Sequence, residues 1–286
     1  MHPFLLYSSF DWIFLLSSYI MYYYFTLITK SKKKRHLLST FSTSLPPSLE
    51  LVIFDDKHHA YWYNSSQNRN ASSSSLLVYF HEKDHSILDH YKHLEKLPSL
   101  FSNARDGRHS YTIVYLEYES ERFSSIVQGC VDMYRSILRY HSWKKIGWVG
   151  FDFGTLVQAA LYQQCQFQQI RMPDWIFHCN GVHAISSYDF YRRPWSSIRL
   201  FPSSMQSQIS LSNYYQSIKC PLWIFHSRYN NVISLQEAMI AHRIVTTSCL
   251  HVMEGTHDSY LLHKQTEIDI ERIIHDPDHE SIFFSA

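Results

Sequence analysis

The sequence predicts an α/β protein: a mostly parallel, eight-stranded sheet with helices on both faces. Three observations lead there. From residue 76 onward, short apolar runs alternate with stretches of helical period. Two further apolar runs, 51–54 and 60–63, stand together at the start with no helix between them. The runs at 76–80, 145–149, 175–179 and 222–226 are nearly continuous in apolar residues, as strands covered on both faces are.

The N-terminus stands apart. Residues 4–29 are mostly apolar, with Asp11 the one charge, and about 20 such residues cross a hydrocarbon core. Tyr22, Tyr23, Tyr24 and Phe25 lie near the far end, where interfacial rings are favoured, and Lys30, Lys32, Lys33, Lys34 and Arg35 follow. A cleaved signal peptide carries its basic residues ahead of the apolar run, not after it. The expected arrangement is therefore a transmembrane helix that makes the bilayer a partner through residues 4–29. The basic flank places everything after it in the cytosol. Glycosylation at Asn64 or Asn70, which head N-x-S sequons, would require the opposite orientation.

Residues 1–36 then form the anchor and its basic flank, 37–49 a Ser/Thr/Pro-rich linker, 50–276 the folded domain and 277–286 a tail. Within the domain, 51–54 and 60–63 pair as strands, and 64–75 is a polar loop. Strand 76–80 precedes a helix opened by Ser86 with Asp89 as its capping partner. Strand 112–116 leads to an amphipathic helix over 126–140, with Ile126, Cys130, Tyr134, Ile137 and Leu138 on one side. Strand 145–149, helix 155–164 and strand 175–179 follow. Residues 182–217 break the rhythm, being rich in Tyr, Ser and Arg with Pro194 and Pro202, and read as an insertion above one end of the sheet. Strand 222–226, helix 235–244, strand 249–253 and helix 265–274 complete the series.

Composition sets limits. Of 286 residues, 45% are hydrophobic and 18% charged, a globular balance, and a net charge of +1 gives no nucleic-acid footprint. Five cysteines occur without a C-x-x-C pair, so reduced, mostly buried thiols are expected rather than a disulfide framework or a cysteine zinc site. Only 7 glycines are present, which makes the spacing of each informative.

Two of them flank Asp152. Residues 146–155, Ile-Gly-Trp-Val-Gly-Phe-Asp-Phe-Gly-Thr, read as a strand, a tight turn and a helix start, with the pattern G-x-D-x-G. In a nucleophile elbow the pattern is G-x-S-x-G, because the nucleophile sits on a strained turn whose neighbours two before and two after have no room for side chains. Two later segments keep the corresponding order. Cys220-Pro221 begins a buried run that ends in His226 and a polar loop with Asn230, and Glu254-Gly255 precedes His257. All three stretches lie at carboxyl ends of expected strands, where ligands bind in such sheets.

On these residues the chain resembles the α/β-hydrolase superfamily, over about residues 50–275. It looks most like membrane-anchored serine hydrolases that include protein depalmitoylases. Those carry their triad on a G-x-S-x-G-T turn, a C-P-x-x-x-x-H-G-x-x-D loop and an E-G-x-x-H terminus. The resemblance puts Asp152 in the place of the serine, Asn230 in the place of the acid and His257 in that of the histidine. It also puts His81-Glu82 where a His-Gly pair normally donates a backbone N–H to the oxyanion, with the Phe153 N–H as another donor.

The departures decide the expected chemistry. Asp152 has no hydroxyl, Asn230 has no charge with which to stabilise a histidinium, and Glu82 and Asp152 put negative charge where an oxyanion would form. Residual ester or thioester hydrolysis is a further, less favoured outcome. The leading expectation is a pseudo-hydrolase whose pocket takes a lipid-like or acyl ligand. The alternative is an aspartate-nucleophile hydrolase of the epoxide-hydrolase or dehalogenase type. There Asp152 attacks saturated carbon, His257 activates water, and phenol donors come from among Tyr188, Tyr191, Tyr214 and Tyr215.

His81-Glu82-Lys83-Asp84-His85 also matches H-E-x-x-H, a zinc-protease signature that works only inside a helix; here it directly follows a strand. His85, Asp89 and His93 have one-face helical spacing but read as a solvated face. No metal and no cofactor are expected.

Overall fold

A computed structural model describes residues 49–54, 58–63, 75–83, 111–118, 120, 122–183 and 212–257. Outside these residues lie the expected transmembrane segment 4–29, its basic flank, nearly all of the linker, the loop 64–74, the helix opened by Ser86, insertion residues 184–211, the helix 265–274 and the tail. The chain divides between Pro47 and Ser48, and every residue described belongs to the second part. No helix among the described residues is long and apolar enough to cross a membrane.

Eight strands form one sheet in the order β1-β2-β4-β3-β5-β6-β7-β8. They are β1 (Leu49–Phe54), β2 (His58–Tyr63), β3 (Ser75–Phe80), β4 (Tyr111–Leu116), β5 (Lys145–Phe151), β6 (Trp175–Cys179), β7 (Leu222–Ser227) and β8 (Ser248–Met253). β1 pairs antiparallel with β2, and β2 antiparallel with β4; every other pairing is parallel. The eight expected strands are all present, and β5 runs on to Phe151, up to Asp152 itself.

The helices described are α1 (Phe123–Tyr140), α2 (Phe153–Phe167), α3 (Ser212–Ser217) and α4 (Leu235–Ile244). α1 begins ahead of the expected Ile126 because Phe123 already packs its ring against Phe153. It buries Ile126, Cys130, Val131, Tyr134 and Ile137 and leaves its other side wet, the division its apolar spacing calls for. α2 is buried around most of its circumference, from Phe153 to Tyr162 without interruption. Ser234 caps α4 by accepting the Gln236 N–H at 3.2 Å.

β3 and β7 are buried at all six positions, and β5 at every position after Lys145. Trp148 of β5 anchors one face, with Phe80 at 5.5 Å and Tyr134 at 5.1 Å between ring centroids. Burying one such aromatic side chain contributes about 3 kcal/mol, so this triplet is a large fraction of a domain's net stability. The cysteines are all free, with Cys130, Cys165 and Cys179 buried. Burial raises the thiol pKa of Cys165 and Cys220 to about 12, leaving both unreactive at neutral pH.

Two histidines lie inside the sheet. Burial lowers His178 on β6 to about 3 and His226 on β7 to about 4. An unfolded chain takes up protons at both near pH 6.5, while the folded chain refuses them until the lowered values are reached. Their contribution to stability is complete above pH 6.5 and is lost as pH falls toward 4. We predict that urea-unfolding free energy falls across that window by up to about 1.4 kcal/mol per pH unit per histidine. The double variant His178→Phe/His226→Phe should show a visibly flatter profile in the same titration.

Candidate functional site at the carboxyl ends of the strands

The site begins with a close approach. A Cβ added to Gly154 would lie 2.1 Å from the Phe80 carbonyl oxygen, and one at Gly150 would lie 3.1 Å from the backbone of Thr155. The start of α2 thus presses against the end of β3, and only hydrogen fits at Gly154. Asp152, between them, has φ 52° and ψ −120°, a conformation that costs about 1–3 kcal/mol in a non-glycine residue. It is held there by its own N–H donating to the Cys179 carbonyl at 3.0 Å and by the Thr155 hydroxyl donating to its carbonyl at 2.7 Å. The G-x-D-x-G segment is a strained strand-to-helix turn, as its glycine spacing implies.

Asp152 precedes α2 but does not cap it with its side chain. The carboxylate turns instead to His257, whose Nε2 lies 3.4 Å from Asp152 Oδ2. Glu82 completes the group: one ligand atom each from Glu82, Asp152 and His257 all lie within 4.8 Å of one another. Asp152 is 0% exposed, and Glu82 and His257 are each 2% exposed. The positive end of the α2 dipole adjoins this negative charge and favours it.

The side chains of the remaining expected residues are engaged elsewhere. Asn230 spends its Oδ1 on its own loop, accepting the N–H groups of Val232 and Ile233 at 2.9 Å each. It makes no hydrogen bond to His257, and His257 Nδ1 has no hydrogen-bond partner among the described residues. The His81 ring stacks on Tyr118 at 4.2 Å, its Nδ1 meets the Glu82 carbonyl, and its Nε2 is 3.8 Å from Glu117. His81 is therefore a packed histidine. Residues 81–83 form no helix, so the described part of H-E-x-x-H lacks the geometry that motif needs. The Phe153 ring is buried against Tyr118 and Phe123, leaving only its backbone to serve a ligand.

Among the expected phenols, Tyr215 is committed: it donates to the Val182 carbonyl at 2.9 Å, and burial pushes its pKa up. Tyr214 packs its ring against Phe123, while Tyr188 and Tyr191 lie outside the described residues.

One residue that matters escaped the sequence reading. Asn180, directly after β6 with φ 49°, donates Nδ2 to the His257 carbonyl at 2.7 Å and to Ser227 Oγ at 3.1 Å. Its Oδ1 accepts the Ser227 N–H at 2.7 Å, and its own N–H donates to Phe225 O at 2.8 Å. It ties the ends of β6 and β7 to the loop that carries His257. The dipeptide Asn180-Gly181 is a turn signal that marks the position.

No family model matches the chain, and no curated protein matches it. Solved structures do. An esterase/lipase from an uncultured bacterium matches with a TM-score of 0.61 at 13% identity, over 82% of this chain and 86% of that one. Est1E from Butyrivibrio proteoclasticus gives 0.64 at 10% identity, over 81% and 99%. The Pyrococcus furiosus esterase Pf2001 gives 0.59 at 13%, over 79% and 89%. Such identities establish the fold alone: this is an α/β-hydrolase fold, in which Asp152 stands on the strand-to-helix turn after β5.

Asn180→Ala removes three buried hydrogen bonds and leaves the His257 carbonyl and the Ser227 N–H unpaired. A loss of about 2–4 kcal/mol in denaturant unfolding is expected. Hydrogen exchange should show faster opening of residues 254–257 than of the β7 ladder.

Proposed function

We propose that this chain is a pseudo-hydrolase: a protein that keeps the hydrolase fold, has lost serine ester hydrolysis, and uses the cleft around Asp152 to bind a lipid-like or acyl ligand. The observation that carries the reading is the triplet of Glu82, Asp152 and His257 in one buried cluster. An acyl-transfer site needs a hydroxyl against the imidazole and N–H donors around the developing oxyanion. Here a carboxylate meets the imidazole and a second carboxylate stands beside it. The neutral Asn230, turned to its own loop, and the unpartnered Nδ1 of His257 remove the support a histidinium would need.

An aspartate-nucleophile hydrolase is the second reading, favoured by one contact, the 3.4 Å between His257 Nε2 and Asp152 Oδ2. The engaged hydroxyl of Tyr215 and the absent partner at His257 Nδ1 count against it.

Full-length protein in detergent micelles should turn over no carboxylic ester, epoxide or haloalkane above the Asp152→Ala background, and fluorophosphonate should not label it. Epoxide or haloalkane turnover abolished by Asp152→Ala would establish the second reading instead. The double variant Asp152→Ser/Glu82→Gly supplies a hydroxyl against His257 and removes the opposing charge. We expect it to be labelled, at a rate about 10⁴-fold below that of a complete triad because the acid is still missing.

The membrane part of the proposal rests on residues 4–29 and the basic run after them. In membrane vesicles of cytosolic-side-out orientation, protease should degrade the domain, and Asn64 and Asn70 should carry no glycan. A glycan at either site would reverse the topology.

A further inference from the structure

We propose that Glu82, Asp152 and His257 form a binding site for one divalent metal ion of the zinc type. This goes beyond the loss of serine chemistry and is tested apart from it. The three side chains come from the ends of β3, β5 and β8, so the chain brings them together by its topology rather than by local spacing. All are at least nine-tenths buried. Two carboxyl groups and an imidazole are side chains that ligate a divalent cation.

The imidazole supplies the independent indication of a ligand. Both ring nitrogens of His257 are buried, and neither makes a hydrogen bond among the described residues. Its Nε2 faces Asp152 Oδ2 at 3.4 Å, longer than an ordinary N–H···O bond. Two donors each about 2.1 Å from one ion, at a tetrahedral angle, are about 3.4 Å apart. The widest separation in the group is within 4.8 Å.

The donor set narrows the ion to a divalent transition metal such as zinc. Calcium takes six to eight oxygens, and magnesium keeps most of its waters. One imidazole with two carboxylates suits zinc, and three protein ligands leave a coordination position for water or for an anionic group. The surrounding geometry is fixed in advance: Asn180 holds the His257 carbonyl at 2.7 Å, and the Asp152 N–H is held by Cys179. The H-E-x-x-H match contributes only its glutamate, which works here with residues distant in sequence.

The experiment takes full-length protein in micelles, stripped with chelator and titrated with zinc chloride by calorimetry and by elemental analysis. One zinc per chain is expected. Cobalt(II) in its place should give the intense visible absorption of a four-coordinate ion. Glu82→Gln, Asp152→Asn and His257→Gln should each weaken binding by at least about tenfold and remove the cobalt band, whereas His141→Gln should not. Glu82→Gln and Asp152→Asn each remove one of two adjacent buried carboxylates, so the metal-free melting temperature should not fall. Lost binding then cannot be ascribed to unfolding. Absence of stoichiometric zinc, or equal affinity in all three variants, would overturn the site. Zinc is counted without substrate, so its absence leaves the proposed loss of ester hydrolysis standing, and esterase activity in the native chain leaves the ion count standing.

Discussion

Everything at the carboxyl end of this sheet follows from how closely α2 approaches β3. The Phe80 carbonyl occupies the space where a side chain at Gly154 would go. That approach sets where the helix begins, and the helix start sets the left-handed turn at Asp152. A residue on such a turn cannot retreat into the helix or the strand. Its side chain is delivered toward His257 whatever its chemistry.

The consequence is electrostatic. The turn presents the Asp152 carboxyl group to His257, and Glu82 stands beside the pair at the end of β3. Two buried carboxylates repel strongly at low effective dielectric. The positive end of α2 offsets part of this, and His257 lies against Asp152.

Much of this was legible in the sequence, for identifiable reasons. The strands show as apolar runs because both faces of β3, β5 and β7 are covered, and the turn shows because steric exclusion at Gly150 and Gly154 fixes residue type at fixed spacing. The pairing of Asp152 with His257 follows from fold order. Asn230 illustrates the limit. Position along the chain located its loop, but not the orientation of an amide that satisfies the N–H groups of Val232 and Ile233 instead of reaching the histidine. Glu82 shows the same limit from the other side: read as an obstruction to an oxyanion, it also stands in a cluster with Asp152 and His257, and that depends on distances no spacing reveals. Asn180 went unseen because its role is purely architectural, linking three loop ends that are remote in sequence.

Asn180 has a chemical liability as well. An asparagine followed by glycine readily cyclises through attack of the next backbone nitrogen on its amide, losing ammonia and leaving aspartate or isoaspartate. In the native chain the amide is buried, held on both its oxygen and its nitrogen, and so kept from that reaction. Each excursion to the unfolded ensemble removes the protection. A carboxylate formed there would face the His257 carbonyl in place of a donor, so damage sustained while unfolded would hinder return. The knot that organises the cleft thereby acts as a covalent memory of the molecule's age.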